Sequence, residues 1–263
     1  MISRLKRSHQ SPPPQKVLPE PEAEEGEQGR MSLLEHLNEL RQRLFKSIVA
    51  LVIGTIGGMI VAVPILQYLQ VPYGERFIVL GPTGGVVSYF RVALMVGGIL
   101  SIPIITYQLM MFILPALKRN EKRWVLFSLP FITLLFLAGV AFAWFILIPP
   151  ALDFLENFQS DLFAAEWTAD LYLGFVTALL FWMGVAFETP LIFFVLALLG
   201  FVSARMLLKN WRIAIIGAAV AAAFITPTID PVNMMLVMGP LMVLYFFSII
   251  LVMIGRRFSN VTE

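Results

Sequence analysis

The feature that most constrains this chain is a series of long apolar runs, too many and too long for a core that water surrounds. They cover about Leu44–Leu66, Val86–Leu114, Val125–Leu147, Leu171–Phe201, Ile213–Thr226 and Val232–Ile254. In hydrocarbon a backbone N–H or C=O finds no water, so a spanning segment must satisfy its polar groups internally, as a helix or a closed barrel. Barrel strands are tilted segments of about ten residues with alternating polarity. These runs are continuous, so the chain is predicted to be an all-α integral membrane protein with six transmembrane helices. Composition agrees: 59% of residues are hydrophobic and 14% charged, against roughly 25% charged in a soluble domain.

The runs are unequal. At 1.5 Å per residue the fifth reaches only ~20 Å, short of the ~30 Å hydrocarbon core, and the fourth about 45 Å, so that it must tilt or kink. Gly54-x-x-x-Gly58 in the first run is a spacing that lets two helices approach closely.

Charge sets the orientation. Arg41, Arg43 and Lys46 precede the first run, and Lys118, Arg119, Lys122 and Arg123 lie between the second and third. Arg205, Lys209 and Arg212 separate the fourth from the fifth, and Arg256 and Arg257 follow the last. The other side offers Arg76, Arg91 just inside a span, and a third-to-fourth connection with Asp153, Glu156, Asp161, Glu166 and Asp170. The positive-inside bias predicts both termini in the cytoplasm, with the protein in the cell membrane.

Residues 1–31 are expected to be a solvated cytoplasmic tail, because five prolines and an acidic run from Glu20 to Glu27 leave no apolar periodicity. Residues 32–257 form the membrane domain, and 258–263 a short second tail. Ser32 and Glu35 have capping-box spacing. Leu33, Leu37, Leu40 and Leu44 then form one stripe of an amphipathic helix at the interface, with Glu39 and Arg43 off it.

No soluble-enzyme signature appears. Gly81-Pro82-Thr83-Gly84-Gly85 lacks the Lys-Ser/Thr of a phosphate-binding loop and reads as a turn before the second span. There is no cysteine, and His9 and His36 are too scattered for a metal cluster. A net charge of +2 implies no nucleic-acid surface. No catalytic residue, metal or cofactor is expected, and any work must draw on a gradient or on partners.

Three acids stand out. Glu188 sits mid-span in Phe187-Glu188-Thr189-Pro190, where an acidic residue costs roughly 2.5–3.5 kcal/mol on insertion scales. It is either a protonated acid bonded to a neighbouring helix or a site facing water. Pro190 withholds a helical hydrogen bond and loosens the helix near Ala186. Glu39 and Glu121 lie on the basic cytoplasmic side, where they are either ordinary surface ion pairs or carboxylates able to clamp a guanidinium. Asp230, in Thr226-Pro227-Thr228-Ile229-Asp230-Pro231, suits a turn and helix start.

In this order, His36-Leu37-Asn38-Glu39-Leu40-Arg41, Phe112-Ile113-Leu114-Pro115-Ala116-Leu117 with Glu121-Lys122-Arg123, Phe187-Glu188-Thr189-Pro190, and Thr226-Pro227-Thr228 through Asp230-Pro231 resemble the TatC family of twin-arginine translocase subunits. The resemblance runs from about Ser32 to Arg257. It implies a concave, glove-like bundle and a receptor for Arg-Arg signal peptides of proteins exported folded, driven by the proton motive force. Glu39, Glu121, Arg41 and Phe112 match its signal-recognition positions. Pro72 matches a functional proline of the first external loop, Pro115 and Asp230 match motif positions, and Glu188 matches its glutamate facing the hollow. The implied partners are TatA and TatB, with self-association left open. Two departures bear on them. Met234 stands where the family often has glutamine and Phe246 where it often has glutamate, which favours a more apolar contact or a TatA-like subunit alone. The competing reading is a proton-coupled transporter with Glu188 as its protonation site. A structural subunit with no site of its own is a third.

Overall fold

The computed structural model describes residues 33–74, 76–113, 119–162, 165–226 and 230–259, excepting the side chains of 33, 119–128 and 256–259. The predicted tail 1–31, Ser32 of the capping box, Pro115 and residues 227–229 of the last turn lie outside the described residues. Within 1–38 the described part is the opening of the first helix; residues 39–263 form one compact unit.

Among the described residues every regular element is helical. Helix α1 is Leu33–Leu69, α2 Gly84–Ile113, α3 Arg119–Phe142, α4 Ile148–Asn157 and α5 Ala169–Phe187. Helices α6 Thr189–Leu198, α7 Ala204–Lys209, α8 Trp211–Ile225 and α9 Pro231–Ser259 follow. Five helical stretches are long and apolar enough to cross a membrane, and Trp211–Ile225 is a shorter apolar helix. Those six coincide with the six predicted runs. With 15 residues, α8 measures about 22 Å, the short member expected.

The amphipathic segment and first span prove to be one 37-residue helix. Its polarity is arranged unexpectedly. Leu40 and Leu44 of the leucine stripe are 42% and 57% exposed, whereas the Glu39 side chain is only 17% exposed. In a bilayer an outward leucine meets lipid, so the polar face is the one left for protein contact. Further along, Gly54 and Gly58 abut Ala93, Gly97 and Ser101 of α2. A Cβ on Gly54 would stand 2.5 Å from the Gly97 carbonyl oxygen, and one on Gly58 would overlap the Ala93 carbonyl oxygen. The predicted close approach is therefore real, and Ser101 secures it by donating to the Ala50 carbonyl at 2.9 Å.

The third run differs from expectation. Its helix does not stop near Leu147 but passes through a π turn, Ala143–Leu147, into α4, which carries Asp153 and Glu156. A π turn inserts one extra residue. Pro149 and Pro150 then fall in the first turn of a new helical stretch, where a missing N–H costs nothing.

The fourth run breaks at Pro190, whereas Pro64, Pro103 and Pro240 lie inside helices that continue. Helix α5 ends at Phe187, Glu188 serves as the junction, and α6 starts at Thr189. The Glu188 N–H bonds back to the Val185 carbonyl at 3.1 Å, a tightened closing turn. The break changes packing partners. Helix α5 lies against α2 and α3, while α6 lies against α9, which also carries α7 and α8. The main core gathers Val92, Ala143, Leu173, Val176 and Met183. A second centres on Tyr245, Ile249 and Val252, with Tyr245 donating to the Leu207 carbonyl at 2.6 Å.

The loop between α1 and α2 is fastened to the start of α5. Pro72 is the middle residue of a 3-10 turn, Val71–Tyr73, whose Tyr73 hydroxyl donates to the Trp167 carbonyl. Ala169 N–H donates to the Ile78 carbonyl at 2.7 Å, and the Tyr172 hydroxyl to the Leu69 carbonyl at 2.8 Å. Tyr89 adds a bond from α2 to the Met59 carbonyl at 2.6 Å. The Gly81–Thr83 segment is the predicted turn, with α2 beginning at Gly84.

Candidate functional site

The candidate site lies where Glu39 and Arg43 of α1 approach the last turns of α2. Glu39 and Arg43 are one helical turn apart, and an Arg43 Nη2–Glu39 Oε1 ion pair of 3.1 Å joins them. The pair is only about one-fifth exposed, with side-chain values of 21% and 17%. Arg43 also reaches across to α2, where its Nη1 donates to Gln108 Oε1 at 3.2 Å. Gln108 is itself buried. The second Glu39 oxygen, Oε2, is buried and has no hydrogen-bond partner among the described residues. A carboxylate oxygen left so is an acceptor in want of a donor, because its desolvation has not been offset.

Four residues beyond Gln108, one turn along α2, stands the half-buried Phe112. Arg41 is exposed on α1. Glu121 belongs to the first turn of α3, but its side chain is outside the described residues. Glu39 and Phe112 are thus placed on neighbouring helix ends, and Arg43 is the arginine that touches Glu39. Gln108 had no sequence signal beyond being a polar residue within an apolar run.

Glu188 sits apart, at the α5–α6 break. Its Oε1 accepts from the buried Thr106 hydroxyl of α2 at 3.5 Å, long for a hydroxyl bond. Phe187 beside it lies against Phe142 with ring centres 5.4 Å apart.

Asp230 caps α9. Its Oδ1 accepts from Asn233 N–H at 2.7 Å and its Oδ2 from Asn233 Nδ2 at 3.0 Å. That is the ordinary work of an aspartate before a helix-starting proline. Pro72 is exposed in its turn.

A second ion pair escaped the sequence, since its members were assigned to different places. Arg91, inside α2, meets Asp170 of α5 at 3.0 Å and also donates to the Asp170 carbonyl at 2.5 Å. A cavity of about 390 Å³ adjoins the pair, lined by Leu152, Trp167 and Phe175 among others. Both side chains are substantially exposed, at 34% and 51%, so the pair is worth at most ~1 kcal/mol.

The comparisons with known proteins agree with one another. The family described as TatC, Sec-independent protein translocase protein, matches residues 35–240. The chain is 40% identical over 224 residues to the Sec-independent protein translocase protein TatC of Synechocystis, covering 83% of this chain and 87% of that one. It is 37% identical to the chloroplastic TATC protein of Arabidopsis thaliana, covering 82% of this chain and 64% of that longer protein. A solved structure, the crystal structure of the twin-arginine translocase receptor TatC, superposes with a TM-score of 0.76 at 35% identity, over 84% of this chain and all of that one. With the helical order, the broken fourth span and the short α8 already in place, these likenesses mean that the chain belongs to the TatC family of Sec-independent protein translocase proteins.

Proposed function

We propose that this chain is the receptor subunit of a twin-arginine translocase, binding Arg-Arg signal peptides of folded proteins at its cytoplasmic face. Glu39, Glu121, Arg41 and Phe112 form the recognition surface. TatA and TatB, or a TatA-like subunit alone, complete the complex, and the proton motive force drives export. The chain itself carries out no covalent catalysis. It lies in the cytoplasmic membrane with both termini inside, as the distribution of Lys and Arg requires. The observation that carries the reading is the buried, unpartnered Oε2 of Glu39, on a helix that also carries Arg41, Arg43 and Lys46. It is an acceptor suited to one cation of a paired-arginine motif.

Partner docking falls on α8 and α9. Phe224 is 84% exposed and Phe246, at the position where the resemblance expects glutamate, 49%. An outward face of that kind suits the apolar helix of a single-span subunit.

The test is binding of a signal peptide to the protein in lipid nanodiscs. Glu39→Gln or Glu121→Gln should weaken binding by roughly 1.5–3 kcal/mol, the range for hydrogen bonds to charged groups. Each loss should shrink when the signal carries Lys-Lys. Strictly additive losses between acid and signal substitutions would mean that these carboxylates do not meet the arginines. The proton-coupled transporter reading rests on Glu188 and its contact with Thr106; export by Glu188→Gln set against Glu121→Gln separates the two.

A further inference from the structure

Glu39 is the end member of a three-residue relay. Gln108 Oε1 accepts from one Arg43 nitrogen at 3.2 Å, and another Arg43 nitrogen meets Glu39 Oε1 at 3.1 Å. We infer that Arg43 and Gln108 are positioning residues for signal recognition: they hold Glu39 across the α1–α2 contact with Oε1 committed and the buried Oε2 left as the acceptor that a signal cation satisfies. The inference rests on the reading that Glu39 receives a signal arginine.

Three observations support it. The guanidinium is a rigid fork, so fixing one nitrogen on Gln108 fixes the direction in which the other points. Gln108 is buried on α2, which packs closely on α1 through Gly54, Gly58 and Gly97, so the anchor of the relay is not a mobile surface group. The Glu39 carboxylate is divided unequally, with one oxygen paired and the other buried without a partner among the described residues. A surface ion pair without the relay would leave both oxygens to water and the glutamate rotamer unselected. The arrangement also limits what Glu39 can offer. While Arg43 stays in place, an incoming guanidinium meets one oxygen, so the two-pronged clamp open to an isolated carboxylate is not available here.

The experiment is a double-mutant cycle on the full-length protein in nanodiscs, titrated with a synthetic twin-arginine signal peptide. Gln108→Met keeps the side-chain length and removes the acceptor. Arg43→Lys keeps the charge on Glu39 and removes the second nitrogen. Each alone is expected to weaken binding roughly three- to tenfold, the span of one lost hydrogen bond. Neither should weaken it further when Glu39 is already Gln, because nothing is left to position. Thermal unfolding of each variant establishes that the fold is intact. A Gln108→Met loss of the same size in the Glu39→Gln background would overturn the inference and leave the receptor reading standing, since the glutamine would then serve only packing. Wild-type binding by Gln108→Met and Arg43→Lys together would overturn it too. If Glu39→Gln itself binds like wild type, both the inference and the role of Glu39 fall.

Discussion

The contact between α1 and α2 can be tested by one substitution made at three places on the same helix. Glycine inside a helix is worse than alanine by about 0.5–1 kcal/mol, so Gly→Ala is favourable wherever the new methyl has room. At Gly57 it does: the nearest atom to a Cβ is Leu100 Cδ1 at 3.8 Å, an ordinary van der Waals distance. At Gly58 the same methyl overlaps the Ala93 carbonyl oxygen and stands 3.0 Å from the Gly97 nitrogen, and at Gly54 it stands 2.5 Å from the Gly97 carbonyl oxygen. These are backbone atoms of a neighbouring helix and no side-chain rotation relieves them, so the helices must separate. Overpacking of this kind costs about 1–3 kcal/mol, and backbone clashes belong at its upper end. Subtracting the propensity gain, Gly58→Ala and Gly54→Ala should each lose about 2 kcal/mol, while Gly57→Ala should gain up to ~1 kcal/mol. Equilibrium unfolding in mixed detergent micelles, followed by helical circular dichroism, measures the three side by side. If Gly58→Ala proves as stable as Gly57→Ala, the close approach is wrong and α1 is held by something other than its small-residue seam.

Three further outcomes follow from other parts of the molecule. The chain has no cysteine, so an impermeant thiol reagent added outside intact cells should label Gln159→Cys and Val232→Cys but not Gln42→Cys or Asn120→Cys; Val232 is used because neighbouring Asn233 is buried. Labelling at Asn120 would reverse the proposed orientation. Export of one folded reporter with an Arg-Arg signal, at matched membrane levels, should tolerate Glu188→Gln better than Glu121→Gln, and the opposite order would favour a proton-coupled carrier. Asp230→Ala should cost about 0.5–2 kcal/mol in the unfolding assay through loss of the α9 cap, with Asp230→Asn recovering most of it; equal losses would show that the cap bond to Asn233 is not what the side chain supplies.

What is legible in the sequence follows from groups whose surroundings their own chemistry dictates. Six apolar runs became six apolar helices because hydrocarbon forces a segment to satisfy its own backbone, and continuous apolar runs do not suit a barrel. Pro190 foretold a loosened ladder near Ala186 because it withholds a helical hydrogen bond, but Pro64, Pro103 and Pro240 do the same inside helices that run on, so the break itself was not legible from the proline alone. Gly54 and Gly58 announced a close neighbour, although nothing in α1 alone said it would be Ala93, Gly97 and Ser101 of α2. The illegible parts depend on partners distant in the chain. The leucine stripe of α1 was readable as a stripe, yet which face turns to protein depends on what α2 offers, and Gln108 offers a bond to the polar face. The π turn at Ala143–Leu147 has no residue that demands it, so α4 read as loop. Arg91 and Asp170 are 79 positions apart, and their meeting is a property of the α2–α5 contact.

The tyrosines carry a consequence for how tolerant of mutation the molecule should be. Four of the six, Tyr73, Tyr89, Tyr172 and Tyr245, donate their hydroxyl to a main-chain carbonyl, at Trp167, Met59, Leu69 and Leu207. Leu69 lies in the closing turn of α1, where helical carbonyls run out of helical N–H partners and, near the membrane, water is a scarce substitute; the Leu207 carbonyl, in the closing turn of α7, takes the Asn210 N–H as well. Each tie therefore has one jaw made of a particular side chain and one made of backbone that every residue type possesses. Replacing a tyrosine breaks the tie, whereas replacing the residue it grips leaves the grip in place. A saturation scan should consequently find Tyr172 intolerant and Leu69 limited only by the apolar volume it fills, a one-sided pattern that a search for paired sequence changes would not detect.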